Sequence, residues 1–281
     1  MEMIRTVREM QQRAMVVRQK GRRIGFVPTM GCLHEGHLSL VKLARARADL
    51  VVLSIFVNPI QFLPGEDFSR YPRPVESDVA LCQAAGVDIL FYPDNNQIYA
   101  PDHSVTLSET LLSRGLCGAS RPGHFNGVAT VVAKLFNMVL PDFAVFGQKD
   151  AQQLRVVQRM IRDLNFPVEI ITGPIVREAD GLAMSSRNRY LTPEERQDAL
   201  CLHQSLEHVE SRVREGARDV ETLRKELAER LSRVPSARVE YIEFVDNEKM
   251  CPVARVEGVV LVALAIRIGS TRLIDNTVLG S

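Results

Sequence analysis

Apolar positions recur at helical spacing over residues 5–20 and stop at Gly21; a short apolar run at residues 24–27 follows and ends at Pro28. This succession predicts a helix, a glycine cap and a strand enclosed on both faces. The pattern repeats as a helix over about residues 36–48, an apolar strand at 50–57, a helix at 75–85 and a strand at 87–92. Farther along, residues 127–139 read as helix, 142–146 as strand, 149–164 as helix and 168–171 as another β-rich run. Strands that are apolar nearly throughout and alternate with helices belong to a parallel sheet covered on both sides.

After about Thr172 the pattern changes to a polar loop, two charged amphipathic helices near residues 193–215 and 220–233, and strands near 239–245, 259–266 and 271–275. Helices followed by a run of strands predict a smaller α+β domain. With the boundary near Gly173 and Pro174, the expected domains are residues 1–174 and 175–281. The expected fold class is α/β: a Rossmann-like doubly wound parallel sheet, binding its ligand at the carboxyl ends of the strands, with the smaller α+β domain at the C-terminus.

Composition narrows the partners. The 281 residues are 46% hydrophobic and 25% charged, and 35 basic against 34 acidic side chains, well mixed along the chain, leave a formal charge of +1. Neither nucleic acid nor a membrane surface is an expected partner of so even a distribution. The first 23 residues carry charges every few positions, unlike the apolar core of a secretory signal, and no apolar run is long enough to span a bilayer. Five scattered cysteines, Cys32, Cys82, Cys117, Cys201 and Cys251, form no Cys-x-x-Cys pair, so a reduced, cytoplasmic setting is expected. Cys32 reads as a small half-buried spacer rather than a nucleophile.

The richest stretch is Pro28-Thr29-Met30-Gly31-Cys32-Leu33-His34-Glu35-Gly36-His37, between the first long strand and the next helix. His34 and His37 are three apart, so within one helical turn they share a face. Free backbone N–H groups and the positive end of the helix dipole add to that face and make an anion site, for which phosphate is the obvious occupant. Three other readings compete. Gly31 to Gly36 has the glycine spacing of a P-loop, but His37-Leu38 replaces the Lys-Ser/Thr it requires. A metal site on two histidines would have Glu35 after the first, as the zincin pattern does, but only Gly36 where that pattern leaves a longer gap to the second, and an isolated His-x-x-His is ordinarily a solvated surface pair.

The His-x-Gly-His signature is shared by a superfamily of nucleotidyl-transferring α/β proteins, including the class I aminoacyl-tRNA synthetases. Five further blocks accompany it: Val27-Pro28-Thr29-Met30-Gly31, Phe56-Val57-Asn58-Pro59-Ile60-Gln61-Phe62, Arg121-Pro122-Gly123-His124-Phe125, Phe146-Gly147-Gln148-Lys149-Asp150 and Asp180-Gly181-Leu182-Ala183-Met184-Ser185-Ser186-Arg187-Asn188. In this order they resemble the pantothenate synthetase family, the AMP-forming pantoate–β-alanine ligases, as far as about Leu191. The resemblance implies ATP-dependent condensation of pantoate with β-alanine through a pantoyl adenylate, releasing pyrophosphate and AMP. It implies ATP as substrate with Mg2+, whose ligands it leaves unassigned, a homodimer, and a C-terminal domain that closes over the site. Carried onto this chain, it gives catalytic roles to His34, His37, Lys149, Ser185, Ser186 and Arg187. ATP contacts extend to Pro28, Met30, Gly31, Gly36, Gly147, Gln148, Asp150, Val176 and Met184, and pantoate or β-alanine contacts fall to Asn58, Gln61, Gln153, Met30 and Arg121.

The residue types fit those roles. The amides of Asn58, Gln61 and Gln153 offer both donors and acceptors, as a hydroxylated acid requires. A turn contact is as good a reading of Asn58, which precedes Pro59. Lys149 reads as a point charge for phosphate opposite the histidine turn, or with Asp150 as a solvated helix start. Met184 to Arg187 reads as a mobile loop closing over a triphosphate, or as a polar interdomain loop. Arg121 either meets the reacting groups or orders its loop. Residues 62–74, rich in proline and carrying Gly65, read as a lid. Leu63 and Ala151 depart from the family pattern, where a glycine and an aromatic are common. Two other functions remain open at this point: a nucleotidyltransferase that leaves a nucleotide on its product, and a nucleotide-binding regulator.

Overall fold

The computed structural model describes residues 1–280. In chain order the first elements are β1 (Glu2–Ile4), α1 (Val7–Gln19), β2 (Ile24–Thr29), α2 (Glu35–Arg45), β3 (Leu50–Ile55), α3 (Val75–Ala84), β4 (Ile89–Phe91) and α4 (Asn95–Ile98). Next come α5 (Leu116–Ser120), α6 (His124–Val139), β5 (Phe143–Gly147), α7 (Ala151–Leu164) and β6 (Glu169–Gly173). The last are α8 (Pro193–Ala199), α9 (Cys201–Arg214), α10 (Val220–Ser232), β7 (Ala237–Asp246), β8 (Val260–Ile268) and β9 (Thr271–Leu279). The chain folds into two compact units. One comprises Met1–Thr110, Arg121–Gln148 and Gln153–Pro174; the other comprises Leu111–Ser120, Lys149–Gln152 and the chain from Ile175 onward.

The first unit holds a six-stranded sheet in the order β1-β4-β3-β2-β5-β6, with every pair parallel. All six residues of β3 are buried, as are Ile24 to Val27 of β2, which is why these strands read as unbroken apolar runs. The chain passes from β2 to β3 on one side and later returns to β5 on the other. The strand order therefore reverses beside β2, and the crevice outside its carboxyl end is where open α/β sheets bind ligands. The α2 helix lays Leu40, Val41 and Ala44 on Val27, Val51, Leu53, Phe143 and Val145 to form the core beneath that crevice.

Several elements differ from the sequence expectation. The edge strand β1 pairs Glu2, Met3 and Ile4 with Ile89, Leu90 and Phe91, and three residues are too few to show a period. At the opposite edge, β6 is only partly covered: Glu169 and Thr172 are exposed, Ile170 and Ile171 half-buried and Gly173 buried. The α6 helix starts at His124, three residues before Gly127, after Gly123 turns the chain with φ 84°. The helix expected from Lys149 opens as a 3-10 turn at Gln148–Asp150. The stretch read as one helix at 193–215 is broken at Leu200 into α8 and α9. The apolar period runs through that break, so periodicity hides it. Thr192 starts α8 with a capping box, accepting from the Glu195 N–H while the Glu195 side chain accepts from the Thr192 N–H.

The second unit is built on the antiparallel sheet β7-β8-β9. Leu202, Leu206 and Val209 of α9 and Leu223, Leu227 and Leu231 of α10 form one core with Phe244, Val262, Leu264 and Ile266 of the sheet. No helix among the described residues is long and apolar enough to cross a membrane.

Candidate active site

At the end of β2 the Thr29 hydroxyl donates to the Ser54 carbonyl at 2.8 Å and accepts the Gly31 N–H at 3.1 Å. Gly31 and Cys32 then take left-handed conformations, φ 81° and 51°. A Cβ on Gly31 would lie 2.8 Å from Ile55 and 3.0 Å from Asp78, so glycine is required there on two counts. Cys32 is fully buried, not a half-buried spacer. Its N–H and that of Leu33 each donate at 2.8 Å to a carboxylate oxygen of Asp78, a buried residue on α3. This clamp delivers His34 as the N-cap of α2, with φ −148° and ψ 174°, and His37 as its third residue.

The two imidazoles are half-buried with centroids 4.1 Å apart. The His34 N–H donates to His37 Nδ1 at 3.3 Å. An accepting Nδ1 leaves the ring proton on Nε2, so the bond assigns His37 as a donor pointing away from its own turn. Pro28 stands in β2, Gly36 lies between the two histidines in sequence, and Gly147 ends β5, the neighbour of β2.

A second cluster fixes Gln61, which closes a 3-10 turn at Pro59–Gln61. The Tyr99 hydroxyl donates to Asn58 Oδ1 at 2.8 Å, and Asn58 Nδ2 donates to Gln61 Oε1 at 2.9 Å and to the Gly127 carbonyl at 3.1 Å. Gln61 Nε2 in turn approaches Met30 Sδ at 3.3 Å. Asn58 is 1% exposed, and both its donors and its acceptor are spent on the protein. Burial holds the Tyr99 phenol well above its ordinary pKa, so it stays a donor. The approach of α6 depends on Gly127, where a Cβ would lie 2.5 Å from the Ile60 carbonyl oxygen.

Arg121 sits behind Gln61. Its Nε and Nη2 donate to the two Glu66 oxygens at 2.6 and 2.7 Å, and Nη1 meets His124 Nε2 at 2.9 Å. A guanidinium only donates, so Nε2 accepts, and His124 Nδ1–H donates to the Gln61 carbonyl at 2.8 Å. These contacts tie Arg121 to the segment around Gln61. Burial alone would raise the Glu66 pKa, but hydrogen bonds from Arg121 and the Leu63 N–H, with the charge of Arg121, outweigh it and hold it below the ordinary 4.5. Within residues 62–74, the Phe62 ring lies 5.3 Å from Phe68 and 6.0 Å from Tyr71, and Arg73 donates to the carbonyls of Phe68 and Tyr71. Beside this segment a cavity of about 200 Å³ is lined by Met30, Gly31, Phe56, Phe68, Arg73 and Asp78 among others. Gln153 is half-buried in the first turn of α7.

Gln148 ends a segment of the first unit, and the other remaining candidates lie in the second unit and are organised there by their own contacts. The Lys149 carbonyl accepts from Asn276 Nδ2 at 2.9 Å; Asp150 follows it, exposed. Val176 and Met184 face each other through a 3.0 Å backbone bond, and an Arg177–Ala183 bridge completes a narrow hairpin. Ser185 then caps a 3-10 turn at Ser186–Tyr190, its Oγ accepting the Arg187 N–H at 3.2 Å. Ser186 is buried and Arg187 half-buried. Asn188 ties this turn to the hairpin through Glu178 at 2.8 Å and the Ala183 carbonyl at 3.1 Å.

Sequence reading missed the residues that aim these groups. Asp78 is 45 and 46 positions from the amides it holds, with no local signature. His124 lies within the Arg121–Phe125 motif, where its residue type alone signals no role. Gln152 is buried beside Gln153 and binds the carbonyls of Leu112 and Gly115 and the Cys117 N–H; two successive amides on a helix were the available signal.

The comparisons with known proteins agree with one another. The chain is 55% identical over 280 residues to the pantothenate synthetase of Thermotoga petrophila, with 100% of each chain covered. It is 53% identical over 278 residues to that of Heliobacterium modesticaldum, covering 99% of each. A crystal structure of pantothenate synthetase from Thermus thermophilus superposes with a TM-score of 0.93 at 45% identity, covering 99% of both chains. A pantoate-beta-alanine ligase from Francisella tularensis, complexed with beta-gamma ATP and beta-alanine, gives 0.81 at 32% identity, covering 99% of this chain and 97% of that one. The family described as Pantoate-beta-alanine ligase matches residues 2–278, and the chain belongs to that family.

Proposed function

We propose that this chain condenses pantoate with β-alanine at the expense of ATP, through a pantoyl adenylate, releasing pyrophosphate and then AMP. A carboxylate is a poor electrophile and its oxygen a poor leaving group, so amide formation needs activation. Attack of the pantoate carboxylate on the α-phosphorus of ATP supplies it, and negative charge then grows on the departing phosphates. The observation that carries the reading is the pair of imidazoles 4.1 Å apart at the start of α2, outside the carboxyl end of β2 where the strand order reverses. There His37 Nε2–H and the backbone N–H groups of Glu35 and Gly36 meet phosphate oxygens.

Lys149, Ser185, Ser186 and Arg187 supply further cationic and hydroxyl contacts to the leaving phosphates. Pro28, Met30, Gly31, Gly36, Gly147, Gln148, Asp150, Val176 and Met184 complete the nucleotide site. Gln61 and Gln153 hold pantoate, with Gln61 also near β-alanine, while Asn58 and Arg121 serve by orienting Gln61 and its loop. The β-alanine amine, attacking as the free base, needs little more than placement, since orientation alone is worth several orders of magnitude in effective concentration. The segment 62–74 excludes water that would otherwise consume the adenylate. Residues 1–174 are assigned as the nucleotide- and pantoate-binding domain, and residues 175–281 as the domain that closes over it.

Magnesium is the proposed escort of the triphosphate. Among the described residues no group of three or more His, Cys, Asp or Glu side chains is placed to hold a metal ion. That donor set fits an ion taking most of its ligands from phosphate and water, as magnesium does, with Asp150 the only carboxylate among the residues assigned to the nucleotide. When bound, it neutralises charge on the leaving phosphates. A cytoplasmic homodimer is proposed with the activity.

The test mixes protein, ATP, magnesium and pantoate. Pyrophosphate is expected at once and free AMP only after β-alanine is added, with His37→Ala releasing pyrophosphate on the order of 100-fold more slowly. A nucleotide that stays on the product after the amine is supplied would instead identify a nucleotidyltransferase.

A further inference from the structure

We propose that Asp275 and Asn276, neighbours on β9, are positioning residues that set the geometry of the lysine turn and the Ser185–Arg187 turn together. The proposal rests on the reading of those turns as the groups that grip phosphate. Both side chains are almost fully buried, at 2% and 3% exposure. Successive residues of a strand point to opposite faces, so one strand reaches two separate segments. Asn276 Nδ2 donates to the Lys149 carbonyl at 2.9 Å, across 127 positions of sequence. Asp275 takes the Arg177 guanidinium in a fork at 2.6 and 3.1 Å, across 98 positions.

The two bonds are linked. Asp275 Oδ1, which accepts from Arg177, also accepts the Asn276 N–H at 2.8 Å. Arg177 also donates to the Gly181 carbonyl at 3.1 Å and lies in the hairpin that leads to Ser185. A continuous path thus runs from the Ser185–Arg187 turn through Arg177, Asp275 and Asn276 to the backbone of Lys149. Asn276 holds that residue by its carbonyl and leaves the ammonium for an anion. A buried ion pair adds little net stability over apolar packing of the same volume, so what this one supplies is direction. A fork and an amide bond define direction where Leu273 and Leu279, buried on the same strand, define volume only.

The test compares Asn276→Leu, which removes the donor at similar volume, with Asp275→Asn, which keeps shape and removes charge. Amide hydrogen exchange is followed over residues 148–152 and 184–188, and pyrophosphate release is measured against ATP and against pantoate. Faster exchange is expected at 148–152 in the first variant and at 184–188 in the second. Each is expected to lose about tenfold or more in kcat/KM for ATP while KM for pantoate stays at its wild-type value. Should Asp275→Asn not fold, Arg177→Lys takes its place with the same expected readout, since it keeps the charge and removes the fork. Unchanged exchange in both segments overturns the clamp, as does a joint loss of ATP and pantoate parameters that follows the folded fraction. If the wild-type protein releases no pyrophosphate, the functional reading fails, while the exchange arm still judges the clamp.

Discussion

At the scale of single residues, the site depends on side chains whose direction is set by others. Gln61 could present either end of its amide. Asn58 decides by donating to Gln61 Oε1, and Tyr99 decides the orientation of Asn58 by donating to its Oδ1. Removing the Tyr99 hydroxyl leaves that acceptor buried and unpaired, so the Asn58 and Gln61 amides become free to turn. Tyr99→Phe keeps the ring, and with it the packing on Phe56 and His103. The variant is expected to raise KM for pantoate about fivefold, the equivalent of one ordinary hydrogen bond, with KM for ATP unchanged. Steady-state kinetics with each substrate varied in turn checks this; equal shifts for both substrates would make Tyr99 a packing residue only. Sequence exposes the aimed group more readily than the aiming one. His34, His37 and Gln61 stand in compact motifs, whereas Asp78 and Tyr99 act from tens of residues away and look locally like any helix acid or loop aromatic.

Elements show what periodicity carries and what it loses. The buried runs of β2 and β3 were legible because both faces of these strands are covered. The short edge strand β1 and the break at Leu200 were not: one has too few residues for a period, and the other leaves the period intact. The irregular course of segment 62–74 was legible from its prolines, but its fastening was not, because Glu66 pairs with Arg121 across 55 positions. Glu66 is ionised more readily in the fold than in the open chain, since Arg121 and the Leu63 N–H outweigh the cost of burial. Its pKa is therefore lowered on folding, and the fastening is present above the ordinary 4.5 and lost as pH falls through the lower folded value. Glu66→Gln removes the charge at every pH. Limited proteolysis at neutral pH is expected to cut within residues 62–74 faster in this variant than in the wild type, and wild-type cutting is expected to rise only on acidification below that range. Equal cutting at neutral pH would show that the aromatic cluster of Phe62, Phe68 and Tyr71 holds the segment without the ion pair.

Over the whole molecule, the alternation of strands and helices announced the larger sheet and the switch to consecutive strands announced the smaller one. The small pieces that join the second unit, Leu111–Ser120 and Lys149–Gln152, carry no compositional mark, because membership there is decided by long-range contacts such as Gln152 with Leu112 and Asn276 with Lys149. Each unit also buries a thiol that couples its stability to pH. Burial, reinforced by the charge of Asp78, pushes Cys82 from an ordinary 9.0 up to about 12. Burial, with Asp198 beside it, does the same for Cys201, although the Leu202 N–H partly offsets it. Above pH 9.0 the unfolded chain gives up these protons while the folded chain keeps them, so the unfolded state binds fewer and stability falls as pH rises toward about 12. Urea unfolding is followed from neutral pH to about pH 10, where tyrosines of the unfolded chain also begin to ionise, so comparison with a variant lacking both thiols isolates their contribution. The wild type is expected to lose unfolding free energy over that interval, and the Cys82→Ala, Cys201→Ala double variant to lose less, even though its cavities lower the starting value. Parallel slopes for the two proteins would mean that the thiols ionise in the folded state as easily as in the open chain, against the burial seen at both positions.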